Sequence, residues 1–119
     1  MRISPGRAQA AAWALRAQRS VWRALEAGRD VEQLEVPAAP AVGLEGTSAV
    51  GRVLRATKST CLVEATVMQE WFAAQGETYD LIIGVTSPRE GFTAHAWLER
   101  PGETTREDYE VLRRLASRV

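Results

Sequence analysis

The chain has 119 residues, 45% of them hydrophobic and 25% charged, with a formal net charge of +0. That length supports one domain around a single modest core, and zero net charge removes any global electrostatic case for nucleic acid or an anionic membrane. No apolar run nears the ~20 residues of a membrane span, and arginines interrupt the N-terminal stretch where a signal segment would need continuous apolar residues.

The charge is unevenly spread. Residues 1–29 hold six arginines against Glu26, so nine basic residues face fourteen acidic ones in the remainder. From about Gly6 to Ala27 the chain is rich in alanine and arginine and free of internal proline and glycine after Gly6, which predicts a helix closed by Gly28. Trp13, Ala17, Val21 and Ala24 form its apolar stripe, while Arg16, Arg19 and Arg23 lie off it and offer a basic face to an acidic partner. Residues 36–46 (VPAAPAVGLEG) carry two prolines and two glycines without periodicity and read as a connector. Thr47–Thr57 follows as a short helix with Ser48 near its cap and Val50, Val53 and Leu54 turned inward.

A second long helix is predicted from about Thr60 to Gln75, closed by Gly76. At 100° per residue Cys61, Ala65, Met68 and Phe72 fall within about 60° of arc, with Glu70 opposite, so the cysteine is expected on the buried stripe. Tyr79–Val85 (YDLIIGV) is an apolar, β-branched run fit for a central strand. After a loop at 86–91, Phe92–Glu99 alternates, with Phe92, Ala94, Ala96 and Leu98 on one face and Thr93, His95, Trp97 and Glu99 on the other. Arg100-Pro101-Gly102-Glu103 is a turn sequence, predicting a hairpin into a third strand from Glu103 to about Asp108. The remainder, 109–119, shows helical spacing at Tyr109, Leu112 and Leu115 and is expected as a C-terminal helix or tail. The organisation is thus one domain over 1–119, with a helical part at 1–57, a core at 58–108 and this tail.

Cys61 and His95 are the only cysteine and the only histidine. One cysteine excludes an intrachain disulfide, and the two residues alone cannot complete a structural zinc site, so neither metal nor cofactor is expected. A cytoplasmic, reducing setting follows as the simplest expectation. A thiol at a helix N-terminus beside an imidazole has two physical routes to the reactive thiolate. A two-residue hairpin loop would set His95 opposite Asp108 and a three-residue loop opposite Glu107. Either register gives the imidazole a carboxylate to orient it. The roles would be Cys61 as nucleophile, His95 as general base and then acid, and Glu107 or Asp108 as the orienting group. The Cys61 backbone N–H would be the oxyanion donor, whereas Gln69, two helical turns away, lies too far to serve. The bland alternative is a buried thiol and a hydrogen-bonded surface histidine.

Cys61-Leu62 heading a helix, LIIGV (81–85), FTAHAWLE (92–99) and an acidic residue twelve or thirteen positions past the histidine resemble the transglutaminase-like cysteine peptidases of lasso-peptide biosynthesis. The resemblance covers about Lys58 to Asp108. It implies an α+β fold of the transglutaminase or papain type, in which N-terminal helices and a cysteine-bearing helix pack on a small antiparallel sheet. It further implies removal of the leader from a ribosomally made precursor. The implied partners are the precursor leader, a small leader-recognition protein and an ATP-dependent cyclase. Cys61 and His95 match the family's nucleophile and base. Gap-free counting from the histidine favours Glu107 as the acid and a strict hairpin Asp108, and Trp97 is read as a core aromatic ahead of a substrate-lining one. The family's frequent arginine three positions after the cysteine is replaced here by Glu64. The alternatives are another thiol acyl-transfer enzyme on the same scaffold, an amidase or transglutaminase, and a non-catalytic peptide-binding module.

Overall fold

A computed structural model of the chain describes residues 4–86, 91, 93–104 and 106–117. Its first helix, α1 (Pro5–Glu26), starts where local chemistry favours a start. Ser4 holds an extended backbone and its Oγ accepts the Arg7 amide at 3.2 Å, while Pro5 supplies a preset φ. The helix ends at Ala27, and Gly28 takes the left-handed conformation (φ 81°) that closes it. Ala10, Trp13, Ala14, Ala17 and Val21 form its buried stripe, in line with the expected spacing.

Helix α2 (Thr47–Ala56) buries Val50 and Leu54, with Val53 half-buried; its N-cap is Gly46, without a side-chain cap, rather than Ser48. Helix α3 (Cys61–Ala74) begins after Thr60, whose Oγ1 accepts the Val63 amide at 3.3 Å. Gly76 (φ 85°) follows its end.

Helix α3 buries two opposite faces, which the expected single stripe did not anticipate. Val63, Val67 and Trp71 join Trp13, Val50 and Leu54 in the core between the helices. Ala65 packs instead with Leu81 and Ala96 of the sheet. A helix sandwiched between two layers is apolar nearly all round and shows little amphipathic signal. The connector is pinned rather than loose. Trp13 Nε1 donates to Pro37 O (2.9 Å), Gln75 Nε2 to Pro40 O (2.8 Å), and the Gly43 amide to Gln75 Oε1 (2.7 Å).

The sheet has three antiparallel strands in the order β2-β1-β3, comprising β1 (Asp80–Thr86), β2 (Ala94–Glu99) and β3 (Tyr109–Leu115). Two expectations are corrected here. No β2–β3 hairpin forms, because both strands pair with β1, so neither Glu107 nor Asp108 faces His95 across a ladder. His95 instead pairs with Gly84, and Gly84 with Val111. The expected turn itself does form, with the Glu103 amide donating to Arg100 O (3.0 Å) and Gly102 at φ 84°. It opens a crossover rather than a hairpin.

The second correction is the C-terminal segment, where 109–115 is a strand and not a helix. An apolar central strand has backbone donors and acceptors along both edges, and burying one edge unpaired costs more than the weak helical preference of YEVLRRL returns. Gln69 assists by donating from Nε2 to both Tyr79 O and Leu115 O at 3.0 Å, a structural use of that amide. Phe92, most of the expected 86–91 loop, and Thr105 lie outside the described residues.

Candidate functional site

Cys61 is the first residue of α3 and is exposed, not buried as its place on the apolar stripe had suggested. The reason is end position, since the first stripe residue that packs against β2 is Ala65, one turn further on, beside Ala96. Thr60 satisfies two first-turn donors, taking the Val63 amide on Oγ1 and the Glu64 amide on its carbonyl (2.9 Å). Among the described residues no acceptor is found for the Cys61 and Leu62 amides, so the thiol stands over outward donors at the positive end of the helix dipole.

A groove of about 350 Å³ opens beside the sulfur, between α3 and β2. Ala65, Met68, Phe72, Ala96 and Leu98 make it apolar, Trp97 also borders it, and Glu64 and Arg106 bring opposite charges. Glu64, in place of the arginine common in the resembling peptidases, therefore lies at the groove. Arg106 is a residue that sequence reasoning missed. The crossover from β2 to β3 carries it over the Trp97 ring (5.3 Å), a placement with no local signature. The indole of Trp97 is buried, and its Nε1 has no hydrogen-bond partner among the described residues.

His95 is not among the residues lining this groove. Its neighbours Ala94 and Ala96 alternate with it along β2, and Ala96 faces α3, so the imidazole is on the opposite face of the sheet. There it meets Tyr109 edge-on, with ring centroids 5.6 Å apart. Glu107 and Asp108 are exposed in the turn immediately before Tyr109, which brings the acidic pair to the same end of the sheet as His95. The structure thus gathers His95, Tyr109 and Trp97 on one face and sets Cys61 against the other.

The polar cluster farther along that face has a structural character. Arg114 Nε donates to Asp80 Oδ2 (2.7 Å), and its Nη2 donates to the carbonyls of Arg100 and Glu103 (3.2 Å each), tying the crossover to the sheet. A second cavity, of about 470 Å³, lies between residues 31–36, α3 and the end of β3, and includes neither Cys61 nor His95. Among the described residues no group of three or more His, Cys, Asp or Glu side chains is placed to hold a metal ion, and no helix is long and apolar enough to cross a membrane.

A family model described as the transglutaminase-like superfamily matches residues 6–117. No curated protein and no solved structure matches the chain. The match spans α1 through β3, so it takes in the helical part as well as the Cys61 and His95 motifs. Three helices packed on a small antiparallel sheet, with a cysteine heading the helix that lies against it, agree with that match, and the chain belongs to the transglutaminase-like superfamily.

Proposed function

We propose that the protein is a cysteine peptidase that removes the leader from a ribosomally synthesised lasso-peptide precursor. The observation that carries the reading is the exposed Cys61 at the first turn of α3, beside an apolar groove, in a chain of the transglutaminase-like superfamily. The AHAWLE and LIIGV motifs support the narrower assignment to leader removal by resemblance. The precursor leader, a leader-recognition protein and an ATP-dependent cyclase are the partners that go with it.

In this mechanism the Cys61 thiolate attacks the carbonyl carbon at the end of the leader, forming an S–C bond. The carbonyl oxygen takes the negative charge against the Cys61 amide, a type of interaction worth about 3 kcal/mol. The C–N bond then breaks, and the core peptide leaves as an amine carrying the proton taken from the thiol. Water hydrolyses the leader thioester, releasing a carboxylate and restoring the thiol. His95 is the proton carrier and Glu107 or Asp108 the group that orients it. That role requires His95 to approach Cys61 when substrate binds. The approach takes the imidazole off Tyr109 and breaks the His95–Gly84 backbone pair near the start of β2, an edge strand held by a ladder on one side only. Catalytic hydrogen bonds commonly close only in the substrate complex.

The separation of His95 from Cys61 across the sheet favours one second reading, a peptide-binding module with an unreactive thiol. Two measurements divide the readings. Mass spectrometry of a cognate precursor incubated with this protein and its leader-binding partner should show leader loss with wild type and none with Cys61→Ala. Equal cleavage by both ends the thiol mechanism. The pH profile of Cys61 alkylation by iodoacetamide should run faster at neutral pH than that of a free cysteine peptide, because the thiol heads α3, and His95→Gln should abolish leader loss while leaving that labelling in place. A profile identical to that of a free cysteine peptide supports the binding module.

A further inference from the structure

We infer that the outer edge of β2 binds the substrate as an added β-strand and that the groove beside Cys61 takes an apolar side chain from it; this inference rests on the peptidase reading above. The ladder decides which backbone groups are free. The Thr86 amide donates to Thr93 O at 3.0 Å, so Thr86 and Thr93 are a hydrogen-bonded pair of the antiparallel ladder. Pairs alternate along such a ladder, and the β1–β2 register runs without a shift from Val85↔Ala94 to Asp80↔Glu99. His95, Trp97 and Glu99 therefore direct their N–H and C=O groups at β1. Ala94, Ala96 and Leu98 direct theirs outward.

Two of those three outward residues, Ala96 and Leu98, also line the Cys61 groove. These outward backbone groups, unpaired among the described residues, and the apolar recess thus belong to the same stretch of strand, with the nucleophile at its side. An extended peptide laid on this edge would gain main-chain hydrogen bonds and send alternate side chains toward Met68, Phe72 and Leu98.

The other sheet edge is built differently. Strand β3 carries Glu110, Arg113 and Arg114, and Arg113 bridges to Asp30 (2.9 Å) and to Glu32. Charged side chains of this kind blunt an edge against strand addition. From Ala94 to Leu98 the only titratable side chain on β2 is His95, which points to the sheet face and not along the edge.

The test uses blocked tetrapeptide chloromethyl ketones with the full chain. The Cys61 thiolate displaces chloride from the chloromethyl carbon, forming a thioether, and mass spectrometry reads the rate. Every rate is divided by that enzyme's own rate with iodoacetamide, which has no peptide to bind. Leucine and aspartate are walked through the three positions before the ketone, and each amide is N-methylated in turn. At one position Leu should outrun Asp by about tenfold or more, the scale of discrimination an apolar pocket gives. N-methylation should slow alternate amides and spare those between, because only every second residue pairs with the β2 edge. Met68→Glu should shrink the Leu preference.

Fast iodoacetamide labelling with peptide rates indifferent to both changes overturns this inference and leaves the peptidase reading standing. Slow labelling by every reagent removes both. Peptide rates that fall as protein concentration rises assign the edge to a second copy of the chain and overturn the substrate role.

Discussion

Gly84 offers the sharpest test of how the sheet face around His95 is built. It lies buried at the centre of β1, between His95 and Val111 in the two ladders. A Cβ there would stand 2.7 Å from Trp97 Cη2, 3.1 Å from Trp97 Cζ3 and 3.0 Å from Glu110 O. Ordinary contact begins at 3.4 Å, so ring and strand must part by about 0.7 Å. The ring is poorly placed to retreat, since Tyr109 packs at 5.2 Å and Arg106 at 5.3 Å. Overpacking of this kind costs about 1–3 kcal/mol, and two rigid neighbours put Gly84→Ala near the top of that range. The lower entropy of the unfolded alanine chain returns about 0.5–1 kcal/mol, leaving a net loss of about 2 kcal/mol.

Urea denaturation followed by tryptophan fluorescence and circular dichroism measures that loss, provided the two probes coincide. Trp97→Phe deletes the Cη2 and Cζ3 atoms that the new methyl meets. In that background Gly84→Ala should therefore lose at least half its cost, with the Glu110 carbonyl contact accounting for the rest. A wild-type midpoint for Gly84→Ala, or an equal cost in both backgrounds, would refute the packing argument.

Arg114→Met leaves Asp80 and Glu99, 8% and 2% exposed, without the guanidinium at 2.7 and 4.0 Å. Arg114 is itself one-third exposed, so the loss should fall at about 3 kcal/mol, the lower end for breaking a buried pair, and a urea midpoint within error of wild type would contradict it. Thr60→Val removes the α3 cap while nearly preserving shape; it should cost about 1 kcal/mol by the same assay, and no loss would mean that Thr60 Oγ1 does not cap the helix. The Asp30 carboxyl is held below its usual 3.8, first by the Glu32 amide and then by Arg113. A lowered folded value means stability present above about pH 4 and lost as pH falls through the folded value. The urea midpoints of wild type and Asp30→Asn should therefore differ at pH 6 and converge in acid, and a gap unchanged down to pH 2 would overturn the assignment.

Local chemistry was enough to place most of the elements. Gly28 closed α1, Thr60 and Gly76 bound α3, and the β-branched run at 81–85 made the central strand, because caps, left-handed glycines and side-chain preferences act over a few residues. The single cysteine and histidine and their motifs were equally plain. The turn at Arg100–Glu103 was legible as well, but a turn does not state which strand the chain next pairs with.

Tertiary structure decided that. The open edge of β1 drew 109–115 into the sheet although its apolar spacing is helical, and β1 thereby came between His95 and the acidic residues expected to face it. It also decided that α3 buries two faces, that Cys61 projects beyond the covered stripe, and that Arg106 meets Trp97. Each depends on which surfaces must be buried and which backbone groups must be paired once all elements are present, and no window of sequence a few residues wide contains that information.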